Sequence, residues 1–435
     1  MLNKSDLTRE QSKAIYFLTN NDCGIVIADT GAGKTIISLS AIAETGGKYI
    51  VVAPPKVLTN WPKEAEKWTH TCHLKLTLLT GSPEQRAEKL LAPADILLVS
   101  LNSLEWLLDK PHGATSIIID EISKASGKQS AKLKTRANDK ITRRFGLTAT
   151  PVSEDFVKLF PMIRLLDGGR ALGRNKQNYL LKYFHPTDFK QYNWKLSEGS
   201  DKLITDKIRH LICDVVVNKQ DTLPAIEHEE FIFSMPDETR TIYKKMKKDL
   251  LIESDTSDAV AANLAVLSGK LRQIASGFVI TEDNDLIEFD TARANALLHM
   301  LPSTALIIYE YNNQRSHIEK ALLGKKFLSV FGGSDSASAI SDFKSGEIDY
   351  LVAQKATISH GIDGLQHATN NIIFYHPVWS NDSYLQAIGR IWRQGQTNPV
   401  ISTTLICENT IDELVADRLI SKSENMTRFI KHLRG

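Results

Sequence analysis

Short runs of apolar, often β-branched residues recur along the chain. The first series is GIVIA (24–28), YIVVA (49–53), LTLL (76–79), DILLVS (95–100), SIIID (116–120) and FGLTA (145–149). Each has the length and continuous apolarity of a strand buried on both faces. Helical or turn stretches separate them; TIISLSAIAETGG (35–47), for example, has helical spacing and a Gly46-Gly47 stop. A second series follows: TALIIYE (304–310), FLSVF (327–331), DYLVA (349–353), NIIFY (371–375) and VISTTLI (400–406). Such alternation predicts an α/β fold with parallel sheets. Between the series the pattern turns helical and basic, as in GGRALGRNKQNYLLKYF and TRTIYKKMKKDLL. The expected organisation is two parallel-sheet lobes, 1–165 and 286–435, joined by a helical insertion and linker over 166–285.

Composition narrows the class only a little. With 42% hydrophobic and 24% charged residues among 435, the chain reads as an ordinary soluble protein of about three domains by length. It shows no apolar run of the roughly 18 residues a membrane span needs, and no signal-peptide pattern. The net charge of +2 means that any nucleic-acid surface must be local. Cys23, Cys72, Cys213 and Cys407 are too scattered for a disulfide or zinc ladder, which suits a reducing cytoplasm. HTCH (70–73) groups His70, Cys72 and His73, but no second cluster completes a metal site.

The candidate chemistry lies just after the first apolar run. IADTGAGKT (27–35) sits between a predicted strand and a predicted helix, the setting of a phosphate-binding loop. Ala28, Asp29, Thr30, Gly31, Ala32 and Gly33 would bring backbone N–H groups and a helix N-terminus to the phosphates. Ala28 stands where Gly is commoner. Lys34 would reach the β- and γ-phosphates, and the Thr35 hydroxyl would hold Mg²⁺. The site is expected to bind ATP. SIIIDE supplies the other half: Asp120 would complete the Mg²⁺ shell, and Glu121 would position and deprotonate the attacking water.

These motifs, in this order, resemble the core of superfamily 2 helicases, and within it the Snf-type DNA translocases typified by Swi/Snf remodellers. LTREQ (7–11) is similar to the Q motif, which implies that Gln11 reads the adenine edge. VVAPPKVLTNWPKEAEKW (51–68) resembles motif Ia, including Pro54, Trp61, Glu64 and Trp68. FGLTATPVSEDF (145–156) resembles motif III, whose Thr148, Ala149 and Thr150 would couple the lobes. KLRQIASGF (270–278) matches a segment preceding the second lobe. TISHGIDGLQ (357–366) resembles motif V, placing Gly361 and Asp363 at the nucleotide, and IIFYHPVWSNDSYLQAIGRIWRQGQ (372–396) resembles motif VI. The resemblance runs nearly end to end and implies two RecA-like lobes, ATP hydrolysis and movement on double-stranded DNA. Two positions depart from the pattern. Ile122-Ser123 stands where the family usually has a small residue and His, and Asp363 where remodellers tend to have Asn or a small residue. With no appended domain, the chain is similar to compact members found in bacteriophages.

Spacing within motif VI agrees with this reading. Gln386, Arg390 and Arg393 recur at i, i+4 and i+7, one face of a continuous helix. On such a face both arginines would point at the γ-phosphate across a cleft, making hydrolysis depend on closure. Arginine fingers contribute roughly 10³–10⁵ in rate. For DNA the candidates lie in 122–145, where eight basic residues meet one acid: Lys124, Lys128, Lys132, Lys134, Arg136, Lys140, Arg143 and Arg144 against Asp139. Lys124, Lys128, Lys132, Lys134 and Arg136 are the expected phosphate contacts. Aromatics make up 7% of the chain and do not interleave with basic residues, which argues against a dedicated single-strand binder. Two alternatives stay open at this level. One is a strand-separating helicase on DNA or RNA; the other is an ATP-gated DNA-binding module with little turnover. A monomer is expected, acting with other DNA-bound proteins in the cytoplasm, the host's if the chain is virus-encoded.

Overall fold

The computed structural model describes residues 1–29, 31–125, 140–152, 155–187, 193–215, 223–255, 260–332, 334, 336–358 and 364–434. They form two compact units. One comprises Met1–Val217 with the segment from Lys422 onward, the other Asn218–Ser421.

The first unit is built on seven parallel strands: β1 (Cys23–Ala28), β2 (Tyr49–Val52), β3 (Leu76–Leu78), β4 (Ile96–Val99), β5 (Ser116–Asp120), β6 (Arg143–Thr148) and β9 (Ile212–Val215). Their order across the sheet is β3-β4-β2-β5-β6-β1-β9. A small hairpin of β7 (Phe184–Pro186) and β8 (Trp194–Leu196) stands apart. Period-2 alternation divides the sheet's side chains cleanly. Ile25, Ile27, Ile117 and Ile119 join the core on one face, and Val26, Ala28, Val51 and Ile118 that on the other. Burying each such aliphatic side chain stabilises by roughly 1.5–3 kcal/mol, which is why continuous apolar runs mark strands covered on both sides.

The second unit repeats the plan with six parallel strands. These are β10 (Ile226–Phe233), β13 (Ala305–Tyr309), β14 (Phe327–Val330), β15 (Tyr350–Gln354), β16 (Asn371–Phe374) and β17 (Val400–Cys407), in the order β10-β17-β16-β13-β15-β14. A separate hairpin pairs β11 (Phe278–Ile280) with β12 (Leu286–Glu288). Leu306, Ile308 and Phe374 pack on one face; Ile307, Tyr309 and Ile373 pack on the other.

The segment 166–285, expected as an insertion of its own, divides between the units. Its β9 pairs with β1 in the first sheet and its β10 with β17 in the second. The final helix, Ile411–Arg434, starts in the second unit, and its residues from Lys422 onward belong to the first. There Phe429 is fully buried and meets Phe156 edge-on, with centroids 5.9 Å apart. Arg209 donates to the carbonyl oxygens of His432 and Leu433 near the helix end. Among the described residues no helix is long and apolar enough to cross a membrane.

Candidate active site

Open parallel sheets present ligands at the C-terminal ends of their strands. In the first unit β1, β6 and β5 lie side by side, so the loops leaving β1 and β5 share that edge. The loop after β1 turns through Gly31 and Gly33, each at φ 85°. A residue with a β-carbon adopts that left-handed conformation at a cost of roughly 1–2 kcal/mol, whereas glycine does so freely. Gly33 precedes helix α2 (Lys34–Thr45) and supplies no side-chain cap, so the first N–H groups of α2 face outward for an anion.

Gln11, expected to read adenine, braces this loop. It lies in helix α1 (Arg9–Asn20), where Thr8 and Gln11 form a reciprocal cap. Its amide nitrogen donates to the Ala32 carbonyl oxygen at 3.2 Å. A β-carbon on Gly33 would stand 2.5 Å from the same nitrogen, so the glycine allows the close approach as well as the turn. Lys34 Nζ donates to the Ala28 carbonyl oxygen at 3.2 Å and lies 3.9 Å from Glu121 Oε1. The lysine, glycines and acid pair are thus brought together as the sequence implies.

Asp120 closes β5, and its Oδ1 accepts from the Glu121 N–H at 3.1 Å. Desolvation raises the Asp120 carboxyl above the ordinary carboxylate range, against the opposing pull of Lys34, the Glu121 N–H and Lys124. A cation beside it would reverse that shift. The expected donors, a Thr35 hydroxyl and one carboxylate, are hard oxygen ligands of the kind Mg²⁺ takes when phosphates and water complete its shell. Glu121 itself sits at φ 55°, ψ 51°, in the left-handed region. Buried Thr148 ends β6 and buried Thr150 lies just beyond it, the Thr150 N–H donating to Thr148 Oγ1 at 3.0 Å.

The arginine motif departs from its expected geometry. The helix Asn381–Ile388 ends before either arginine, with Gly389 as its C-cap. Beyond it the chain tightens: Arg390 N–H donates to the Ala387 carbonyl at 3.1 Å and Ile391 N–H to that of Ile388 at 3.0 Å, each three residues back. The i, i+4, i+7 face therefore does not extend to Arg390 and Arg393. Arg390 is buried in this turn and Arg393 half-buried. Gln386 is buried within the helix and donates to Asp382 Oδ2 at 3.0 Å.

The second unit also holds a charge network that the sequence reading did not single out, around the C-terminal ends of β13, β15 and β16. Arg272 donates to Glu310 at 2.8 Å and to His376 Nδ1 at 2.9 Å, while Lys355 reaches Glu310 at 2.6 Å. Beneath them Arg293 pairs with Asp412 and donates to the carbonyl oxygens of Tyr375 and Leu405. Burial, with Arg272 and Arg293 alongside, pushes the His376 pKa well below its ordinary value, so the ring is neutral. Desolvation would raise the Glu310 carboxyl, but Arg272 and Lys355 outweigh it and hold it below the ordinary range. The one available sequence signal was indirect: Arg272 and His376 lie inside motif-like stretches.

Of the expected DNA contacts, Lys124 is exposed in the turn after the acid pair. Lys128, Lys132, Lys134 and Arg136 lie outside the described residues, as do Thr30, Gly361 and Asp363 of the nucleotide set. Arg143, at the end of the same basic run, faces inward instead. It donates to Tyr49 Oη at 3.0 Å and to carbonyl oxygens at the end of α1. In motif Ia, Trp61 is buried and Glu64 accepts from Trp68 Nε1 at 3.1 Å, so these residues pack the lobe. His70 hydrogen-bonds Ser40 at 2.8 Å. Among the described residues no three His, Cys, Asp or Glu side chains converge as a metal site.

A phosphate loop and an acid pair on one edge of a parallel sheet, followed by a second sheet of the same plan, define a two-lobed P-loop nucleotide hydrolase. The chain matches the SNF2-related domain over residues 10–277 and the Helicase conserved C-terminal domain over 292–395. It belongs to the SNF2-related family and comprises the two RecA-like lobes of a superfamily 2 ATPase core. Protein p41 of Acyrthosiphon pisum secondary endosymbiont phage 1 is 28% identical, the match covering 91% of this chain and 92% of that protein. The ATP-dependent helicase MG018 of Mycoplasma genitalium is 27% identical over 96% of this chain and 41% of its own length. For the nuclear protein STH1/NPS1 of Saccharomyces cerevisiae the values are 23%, 93% and 33%. The chain thus spans nearly all of the phage protein but less than half of the other two. The Sulfolobus solfataricus SWI2/SNF2 ATPase core, solved in complex with dsDNA, is 19% identical with a TM-score of 0.43, covering 98% of this chain and 94% of that one.

Proposed function

We propose that this protein is a motor that couples ATP hydrolysis to movement along double-stranded DNA. The observation carrying the reading is the meeting of Lys34, the Gly31–Gly33 turn and the Asp120-Glu121 pair on one sheet edge of an SNF2-related chain. Lys34 and the α2 N-terminus bind the phosphates, and Glu121 orients water and takes its proton. Bound at Thr35 and Asp120, Mg²⁺ would neutralise charge developing on the phosphates. Arg390 and Arg393 are assigned to the same reaction through their place in motif VI.

Duplex DNA is favoured as the track by the basic run following the acid pair and by the family itself. Phosphate contacts carry no base information, as a translocating motor requires. The motor is taken to work as a monomer on DNA that carries other proteins. Four free cysteines suit a reducing cytoplasm, the host's if the chain is phage-borne like its p41 relative.

ATP turnover measured with duplex DNA, single-stranded DNA and RNA, beside a strand-displacement assay, tests the reading. Duplex should stimulate most, sequence should matter little, and an annealed strand should stay annealed. Neutralising Lys132, Lys134 and Arg136 together should flatten the salt dependence of duplex binding. Robust unwinding of naked duplex, or stimulation by RNA alone, would replace the motor with a strand-separating helicase. Tight nucleotide-dependent DNA binding without turnover would replace it with a gated binding module.

A further inference from the structure

Three described residues other than glycine have positive φ: Glu121, Asn284 and Asn409. Asparagine tolerates that region, but glutamate gains nothing from it, so the structure around Glu121 must impose the conformation. The next residue, Ile122, is fully buried in the core beside the sheet. It opens a 3-10 turn, Ile122–Lys124, in which the Lys124 N–H donates to the Glu121 carbonyl oxygen and the Ala125 N–H to that of Ile122, both at 2.9 Å.

Opposite Ile122 stands Gly146 on β6, paired in register with Ile119 of β5. Gly146 is not among the positive-φ glycines, so its backbone does not require glycine. Space does. A β-carbon there would lie 2.5 Å from Ile122 Cδ1, 2.8 Å from Cγ2 and 3.0 Å from Cβ. Cδ1 could swing aside, but Cβ and Cγ2 sit next to the backbone of a β-branched residue with restricted χ1 and move only if the turn moves. Glycine weakens a strand interior, so one at this position marks a close approach.

We propose that Ile122 and Gly146 form a key and notch that position Glu121. The bulk at 122, where the family usually has a small residue, is matched by the missing side chain at 146, and the fit pins the turn that carries the water-activating carboxylate. Both are positioning residues: neither touches nucleotide, and they act through the backbone of Glu121. The inference rests on the hydrolytic role proposed for Glu121.

A double-mutant cycle on the full chain tests it, using Gly146→Ala, Ile122→Ala and the pair, with Ile122→Val as a milder second key. Duplex-stimulated kcat, KM for ATP, binding of a fluorescent ADP analogue and the thermal midpoint are read for each. Gly146→Ala should lower kcat at least tenfold while KM and ADP affinity change less than threefold. Adding Ile122→Ala, which removes the atoms at 2.5 and 2.8 Å, should restore much of the lost kcat, and Ile122→Val, which removes only the one at 2.5 Å, should restore less. Should Gly146→Ala fail to fold, Ile122→Ala and Ile122→Val remain, and kcat should fall in that order of lost bulk. Wild-type kcat in Gly146→Ala, additive kcat losses in the pair, or equal losses in kcat and ADP binding would each overturn the positioning role. A wild-type chain without turnover would refute the proposed function and the catalytic half of this inference together. The thermal-midpoint cycle would still decide the contact, with additivity there ruling out the key.

Discussion

At the C-terminal edge of the first sheet Lys34 stands 3.9 Å from Glu121, Asp120 is held above its ordinary pKa, and Glu121 has a left-handed backbone. At the corresponding edge of the second sheet Arg272 and Lys355 grip Glu310 at 2.8 and 2.6 Å, and Arg293 and Asp412 are sealed beneath. The two edges share an architecture and differ in what their charges are bonded to. Close internal ion pairs hold the second set, which therefore supports the fold. A longer contact, a strained backbone and a carboxyl raised rather than lowered mark the first, the condition of groups arranged for a ligand that arrives later.

The comparison predicts that substitutions at the two edges fail differently. The largest effect is expected at Glu121. Glu121→Gln should lower ATP turnover by about 10²–10⁴, the usual contribution of a general base, with nucleotide affinity largely kept. Lys34→Ala should instead weaken nucleotide binding itself. Neither should lower the thermal midpoint appreciably, and a variant losing stability in step with activity would remove the distinction between the edges.

Next in size is Asp412→Ala, which leaves the Arg293 guanidinium buried without its carboxylate. A loss of about 3–5 kcal/mol in unfolding free energy is expected by denaturant titration. An unchanged midpoint would show that the hydrogen bonds from Arg293 to the carbonyl oxygens of Ala275, Tyr375 and Leu405 suffice. Arg393→Ala comes third, with turnover down at least a hundredfold, a floor one decade below the roughly 10³–10⁵ that arginine fingers contribute, and DNA binding retained. Wild-type turnover in that variant would remove Arg393 from the reaction.

The smallest effect concerns pH. The Glu310 carboxyl is held below its unfolded pKa, so it contributes stability above the ordinary carboxylate range that is lost as pH falls through the depressed folded value. Midpoints of wild type and Glu310→Gln, followed from neutral to acid pH, should therefore converge as pH drops. Parallel curves would mean that Arg272 and Lys355 do not hold the carboxylate charged.

Continuous apolar runs made most strands legible, because strands covered on both faces need no polar alternation. Two were not. β9 is only four residues long, and β10, IEHEEFIF, is an edge strand whose exposed Glu227, Glu229 and Glu230 break any apolar signal. Local chemistry made each half of the ATP site readable: Gly31, Gly33 and Lys34 fall in one short loop, and Asp120 and Glu121 are adjacent. The reading of motif VI went astray at Gly389, since periodicity continues through a residue at which the backbone leaves the helix. Arg143 shows the same limit of composition, because a run of like charge does not reveal which member turns inward to hold a helix end.

The return of the final helix to the first unit has a consequence for the order in which the protein is made. Phe429 covers Phe156 only after the entire second unit, Asn218–Ser421, has been translated. Domains tend to fold as they emerge, the earlier one first. Here the earlier one carries the nucleotide loop yet leaves the ribosome with an aromatic face still bare. The ATP-binding lobe is thus begun first and finished last.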